Sequence, residues 1–231
     1  MTIFPEGDAD GPGHTPLHDD AGGHHDGSRM IDGLLRSPAE RVLAPVARGI
    51  PHRMPPAALT LAGLVVGLGA AAAVGLGFHW IAVGLWLANR VLDGLDGAVA
   101  RMRGRQTDFG GYIDLLADFT VYAAIPIGVA ADAGSTSGWI AVAVLLATFY
   151  INAISWSFLS AIMARRGADG PQGPRRTTLA MPPGLVEGAE TLVLFTLMLA
   201  FPAWAIGLCW LMAGGVLISV LQRLAWARSA L

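Results

Sequence analysis

From residue 55 onward the chain alternates long apolar runs with short polar breaks. Six runs stand out: Pro56–Gly77, Trp80–Arg101, Gly111–Ala131, Trp139–Ala164, Leu185–Phe201 and Ala203–Ala225. Each is ~17–26 residues, enough to cross about 30 Å of hydrocarbon at about 1.5 Å per residue. Hydrocarbon offers the backbone no partner, so a spanning run must satisfy its own N–H and C=O groups and is helical. The pattern predicts an all-α integral membrane bundle of six transmembrane helices over residues 55–231, with an N-terminal interfacial amphipathic helix ahead of it.

Two different patterns precede the bundle. Residues 1–36 are polar, acidic and rich in Gly and His, without the apolar stretch of a secretory signal. They read as a disordered tail. Its His14, His18, His24 and His25 read first as solvated side chains and only second as a weak metal-binding set. In the juxtamembrane segment 37–54, Val42, Leu43 and Val46 fall between Arg41 and Arg48 at helical spacing. Ser37 suits an N-cap and Pro38 a first helical turn. The segment predicts a helix lying on the membrane surface, with Pro45 as a candidate kink. A plain linker is the alternative.

Composition agrees with a bilayer as solvent. Residues are 54% hydrophobic and 14% charged, with mean hydropathy +0.54, whereas soluble domains carry about a quarter charged residues. A net charge of −2 argues against a nucleic-acid partner. All cations are arginine, which fits a GC-rich genome. Cys209 is the single cysteine, so an internal disulfide or thiolate metal cluster is excluded. With six spans both termini share one side. That side collects Arg29, Arg36, Arg41, Arg48, Arg53, Arg103, Arg105, Arg165, Arg166, Arg175, Arg176, Arg223 and Arg228. The breaks near His79, Asp132 and Pro202 hold no arginine. The termini and the arginine-bearing loops are therefore expected to be cytoplasmic.

One stretch breaks the apolar rule. Asp93 and Asp96 fall near the cytoplasmic end of the second run, Asp114 and Asp118 near the cytoplasmic start of the third. Carboxylates in a bilayer are costly unless paired or metal-bound. Asp93, Asp96, Gly97, Ala100 and Arg101 share one helical face, and Gly110, Asp114 and Asp118 share another. A short loop joins the two helices, so the carboxylate pairs should meet at similar depth. Four carboxylates without His or Cys make a hard-oxygen site, suited to Mg²⁺ or Mn²⁺. Two ions, as in phosphoryl chemistry at about 3.5–4 Å separation, would neutralise it. Gly97, Ala100 and Gly110 would admit a ligand close to the backbone. The glycines alone would more simply mean tight helix packing.

These residues spell D-x2-D-G-x2-A-R-x8-G-x3-D-x3-D, and the stretch resembles the CDP-alcohol phosphatidyltransferase family at every fixed position. Together with the six-run layout and the amphipathic lead-in, the resemblance covers residues 37–231. The motif with GLVEGAET and the following FPAW resembles a bacterial branch of that family. The resemblance implies that Asp93, Asp96, Asp114 and Asp118 bind metal and that Asp118 is the catalytic base. It implies that Gly97, Ala100, Arg101 and Gly110 line the nucleotide site, and that Thr60 faces the nucleotide. Where the family carries Asn after the proline that starts helix one, this chain has Ala57. The implied activity, in phospholipid biosynthesis, moves a phosphatidyl group from CDP-diacylglycerol to a small alcohol and releases CMP. Glycerol 3-phosphate is the default acceptor, with inositol phosphate or another alcohol as alternatives. A homodimer in the bacterial inner (plasma) membrane, with a cytoplasmic active site among membrane lipids, completes the expectation.

Arg90, one turn deeper than Asp93, reads either as a phosphate or acceptor-cavity residue or as a structural ion pair with Glu187 and Glu190. Arg165, Arg166, Arg175 and Arg176 read first as topology determinants, and second as attractors of phosphorylated acceptors or anionic headgroups. Asn152, Ser155 and Ser157 either line a polar cavity or join helices. Trp80, Trp139 and Trp156 read as interfacial or packing aromatics. From other functional classes, a divalent-cation transporter would use the four aspartates as an ion site, but the outer halves of the runs offer almost no polar path. A catalytically silent membrane scaffold would leave the complete aspartate set unexplained.

Overall fold

The computed structural model describes residues 38–51, 54–168 and 188–231. Among them are helices and no strand: α1 (Pro38–Gly49), α2 (Pro56–Gly75), α3 (His79–Met102), α4 (Asp108–Ala133), α5 (Thr136–Ala168), α6 (Gly188–Ala200) and α7 (Pro202–Ala230). The histidine-bearing tail, Ser37, Arg53, Arg175, Arg176 and Glu187 lie outside the described residues.

Each apolar run contains a helix, and α3, α4, α5 and α7 extend beyond their runs at both ends. α4 begins at Asp108, where the Thr107 hydroxyl caps the helix by accepting from the Gly110 amide at 3.0 Å. It continues through Pro126 to Ala133 and ends on Gly134, whose φ of 56° completes a left-handed C-cap. α2, α4, α5 and α7 are long and apolar enough to cross a membrane. α3 has the length, at 24 residues, but carries Arg90, Asp93, Asp96 and Arg101. α6 is 13 residues long as described, about 20 Å of helix. Among the described residues the membrane protein is thus all-helical, with four candidate spans.

α2 packs against α3 and α4, and α7 against α5 and α6; α4–α5 and α3–α6 contacts join the two groups. Small residues set the closest approach. A methyl group on Gly128 of α4 would collide with the Ala71 carbonyl of α2, and one on Gly67 of α2 would fall 2.5 Å from Val121 of α4. At the junction, the fully buried Trp86 of α3 meets Phe195 of α6 at 5.4 Å between ring centroids. Its indole N–H donates to the Thr196 hydroxyl at 3.2 Å, satisfying the one polar atom of a buried ring.

The α1 helix contains Pro45, and its Leu43 rests where a side chain on Gly94 of α3 would otherwise stand. Ala47 is buried with Leu59, Leu95, Ala98 and Val99. Arg103, just past α3, donates to the carbonyls of Met54, Ile50 and Pro51 at 2.7, 3.0 and 3.2 Å. These bonds hold the strap between α1 and α2 beside the end of α3, and so fix one wall of the site described next. At the other end of the bundle, His79 Nε2 lies 3.6 Å from Asp132 Oδ2.

Candidate active site

The turn from α3 to α4 brings the aspartates together. α3 ends at Met102, Gly104 takes φ 58°, and α4 starts at Asp108. The left-handed conformation, cheap only for glycine, lets the chain reverse within a few residues. The last turns of α3 therefore face the first turns of α4. Asp93, Asp96 and Asp114 each place a carboxylate oxygen within 4.8 Å of the other two. Asp96 is 5% exposed, and its Oδ2 accepts from the Thr60 hydroxyl of α2 at 2.5 Å. The Oδ1 of Asp114 is buried with no hydrogen-bond partner among the described residues. An orphaned carboxylate oxygen facing two further carboxylates is unfavourable without a cation. All three donors are hard oxygens, so the set fits Mg²⁺ or Mn²⁺.

Asp118, the fourth aspartate of the motif, is placed differently. Its Oδ1 accepts from Nη2 of Arg90 at 2.8 Å. Nη1 of the same guanidinium donates to the Tyr122 hydroxyl at 2.9 Å and lies 3.7 Å from Asp93 Oδ2. Its Nε donates to Asn89 Oδ1 at 2.8 Å. Asp93 and Asp118 thus flank Arg90 at the inner edge of the cluster. Among the described residues, Asp118 and Asp93 are ion-pair partners of Arg90, and Glu187, one of the two glutamates considered for that role, lies outside them. Between the carboxylates and α2, a pocket of about 10 Å³ is bounded by Thr60, Gly63, Asn89, Asp93, Asp114 and Asp118.

On the other side of Asp96 and Asp114 opens a cleft of about 560 Å³. The expected nucleotide-site residues Thr60, Gly97, Ala100, Arg101 and Gly110 all line it. The guanidinium of Arg101 folds back over Gly97, where an added methyl would stand 3.1 Å from Nη1. Sequence reasoning missed other lining residues, among them Pro55 just before α2, Gly104 to Thr107 in the turn, and Phe109. The turn residues share no helical face with the motif, so periodicity carried no signal for them. Asn89 and Tyr122 were also missed, although each lies on the inward face, one turn beyond Asp93 or Asp118.

A second, largely apolar cavity of about 440 Å³ lies between α4, α5, α6 and α7, lined by residues including Phe119, Tyr122, Phe149, Tyr150, Asn152 and Thr191. Asn152 joins helices: its Oδ1 accepts from Arg223 of α7 at 2.9 Å. Arg223 also approaches Ser155 at 3.5 Å. Trp80, Trp139 and Trp156 are exposed on the bundle surface. Arg166 donates to the backbone carbonyls of Ala230 and Leu231 at the end of α7. Below the aspartates, the centre of the bundle is filled by Val74, Trp86, Val121, Ile125 and Phe195. The described helices thus show no polar route from the carboxylates to the His79–Asp132 end, as a cation path would need.

The model of the CDP-alcohol phosphatidyltransferase family matches residues 53–221, which include the whole cluster and its cleft. The chain belongs to that family, and it is an enzyme of the phosphatidyltransferase class. The inner membrane protein YnjF of Escherichia coli is 38% identical over 68% of this chain and 78% of its own. The phosphatidylinositol phosphate synthase of Corynebacterium glutamicum is 31% identical over 83% of this chain and 86% of its own. Crystal structures of the phosphatidylinositol phosphate synthase of Mycobacterium tuberculosis share the fold. The one with CDP-DAG bound matches at TM-score 0.63 and 24% identity, covering 80% of this chain and 92% of that one. The one with manganese and citrate matches at TM-score 0.63 and 23% identity, covering 79% and 87%.

Proposed function

We propose that this phosphatidyltransferase moves a phosphatidyl group from a CDP-diacylglycerol-type lipid to a phosphorylated polyol, with inositol phosphate as the acceptor and CMP as the product. The observation that carries the transfer reading is the juxtaposition of three convergent carboxylates with a cleft lined by Thr60, Gly97, Ala100, Arg101 and Gly110. The choice of acceptor is supported by the named activity of the Corynebacterium relative, which favours inositol phosphate over glycerol 3-phosphate.

In this reading Asp93, Asp96 and Asp114 hold divalent cation, with Asp118 as a further ligand of a second ion. Bound Mg²⁺ or Mn²⁺ would offset charge on the pyrophosphate and on the departing nucleotide. Thr60 keeps the Asp96 carboxylate turned toward the cleft. Gly97, Ala100 and Gly110 present no side-chain bulk, so the nucleotide lies close to the backbone. Arg101 supplies positive charge beside its phosphates. Asp118 accepts the proton of the acceptor hydroxyl. The acceptor oxygen then bonds to the lipid-side phosphorus, and the bond from that phosphorus to the CMP oxygen breaks.

The placement of arginines supports a cytoplasmic site and cytoplasmic termini, with α3 and α6 completing six spans and α1 lying at the interface. Acyl tails can then stay in the bilayer while nucleotide and acceptor arrive from water. The family resemblance also implies a homodimer, which cross-linking in native membranes tests.

The deciding experiment incubates purified protein with CDP-diacylglycerol, Mn²⁺ or Mg²⁺, and inositol phosphate, glycerol 3-phosphate, inositol or serine in turn. CMP release is followed and the lipid product identified by mass spectrometry. CMP release with inositol phosphate alone supports the reading in full. Release with another alcohol replaces the acceptor. No release with any acceptor and either metal defeats the transfer reading.

A further inference from the structure

Arg90 is bound more tightly than charge balance requires. Each of its three nitrogens has its own acceptor: Asn89 from Nε, Tyr122 from Nη1 and Asp118 from Nη2, at 2.8, 2.9 and 2.8 Å. Its planar head lies 4.7 Å from the Trp86 ring centroid and 5.1 Å from that of Tyr122. The acceptors are themselves held. Asn89 donates to the Gly63 carbonyl of α2 at 2.9 Å. The Tyr122 and Trp86 rings pack on Phe195 of α6. A chain of contacts thus runs from α2 through α3 to the Asp118 carboxylate on α4.

The same guanidinium stands 3.7 Å from Asp93, one of the three convergent carboxylates. A positive charge so close to a cation site opposes cation binding by simple repulsion. A group retained only to strengthen the metal site would not be placed there.

The geometry points to Arg90 as a positioning residue: it fixes the direction of the Asp118 carboxylate for the acceptor hydroxyl and does so at the expense of divalent affinity. The inference rests on the transfer reading above for the role of Asp118, but its electrostatic half does not. Fork and charge make separable contributions. A lysine keeps the charge but cannot serve three acceptors in one plane.

The test uses the full chain in lipid nanodiscs. Mn²⁺ binding is titrated by electron paramagnetic resonance without substrate, and CMP release is measured at saturating Mn²⁺ and acceptor. Arg90→Gln should bind Mn²⁺ about tenfold more tightly, because the repelling charge is gone. Its kcat should fall about 100-fold, with KM for the lipid donor nearly unchanged, because the base is no longer aimed. Arg90→Lys should restore wild-type Mn²⁺ affinity and leave kcat low. Tyr122→Phe, which removes one of the three holds, should lower kcat about fivefold without moving Mn²⁺ affinity, and it serves if Arg90→Gln does not fold. Weaker or equal Mn²⁺ binding in Arg90→Gln, or full kcat in Arg90→Lys, overturns the inference. If Tyr122→Phe stands in for Arg90→Gln, an unchanged kcat overturns it. If the wild-type protein releases no CMP, the transfer reading fails, and the Mn²⁺ titrations still decide the electrostatic half.

Discussion

The Thr60 hydroxyl donates to Asp96 Oδ2 at 2.5 Å, across the contact between α2 and α3. It fixes a buried carboxylate that would otherwise be free to rotate away from Asp93 and Asp114. Thr60→Val keeps the shape and removes the donor. It should weaken Mn²⁺ binding by about 10-fold and lower CMP release by a similar factor, as loss of an outer partner does at metal sites. Thr60→Ser should behave as wild type. Calorimetric Mn²⁺ titration of the three proteins checks this; unaltered affinity in the valine variant would show that Asp96 needs no such hold.

Asp114 has an oxygen with no partner among the described residues, and a cation held by the convergent carboxylates would be its partner. EDTA should abolish CMP release, and added Mn²⁺ or Mg²⁺ should restore it. Asp114→Asn, which keeps the shape but loses the charge, should cost at least about 100-fold in divalent affinity. The variant should also melt at a temperature independent of Mn²⁺, whereas the wild-type protein should gain stability with added metal.

Gly97 lines the cleft directly beneath the Arg101 guanidinium. A branched side chain there would displace Arg101 and fill the space assigned to the nucleotide. Gly97→Val should raise KM for the CDP-lipid by about 10-fold or more while leaving Mn²⁺ affinity close to wild type. Equal loss of metal binding would show that the helix itself had been distorted.

Gly128 is remote from the chemistry, yet any side chain there runs into the Ala71 carbonyl. Backbone cannot yield as a flexible side chain can, so α2 and α4 would have to part. Gly128→Val should destabilise the bundle by about 1–3 kcal/mol, seen as a lower melting temperature in detergent. Because α2 carries Thr60 and α4 carries Asp114, Mn²⁺ affinity should fall with it.

Much of this arrangement was legible in the chain. Runs of apolar residues long enough for a bilayer must be helices, because no other open structure satisfies its backbone in hydrocarbon. Fixed helical pitch then puts Asp93 with Asp96 and Gly97 on one face, and Gly110 with Asp114 on another. A short loop containing Gly104 is enough to turn those faces toward each other. The family motif read from the same residues agrees with the matched segment 53–221.

The contacts of Arg90 could not be read in this way. Its pitch relates it to Asp93 on its own helix, but not to Asp118 or Tyr122, whose approach depends on how α3 and α4 rotate and slide when Gly67 and Gly128 let α2 close on α4. The turn residues Gln106 and Thr107 likewise enter the cleft only because the chain reverses there. What sequence alone determined are the properties set by local geometry and by the solvent: helices, their inward faces, and the presence of a hard-oxygen cluster. The tertiary structure alone decided which carboxylates converge and which one an arginine holds, because those depend on the packing of side chains from different helices, and one-dimensional periodicity does not encode that packing.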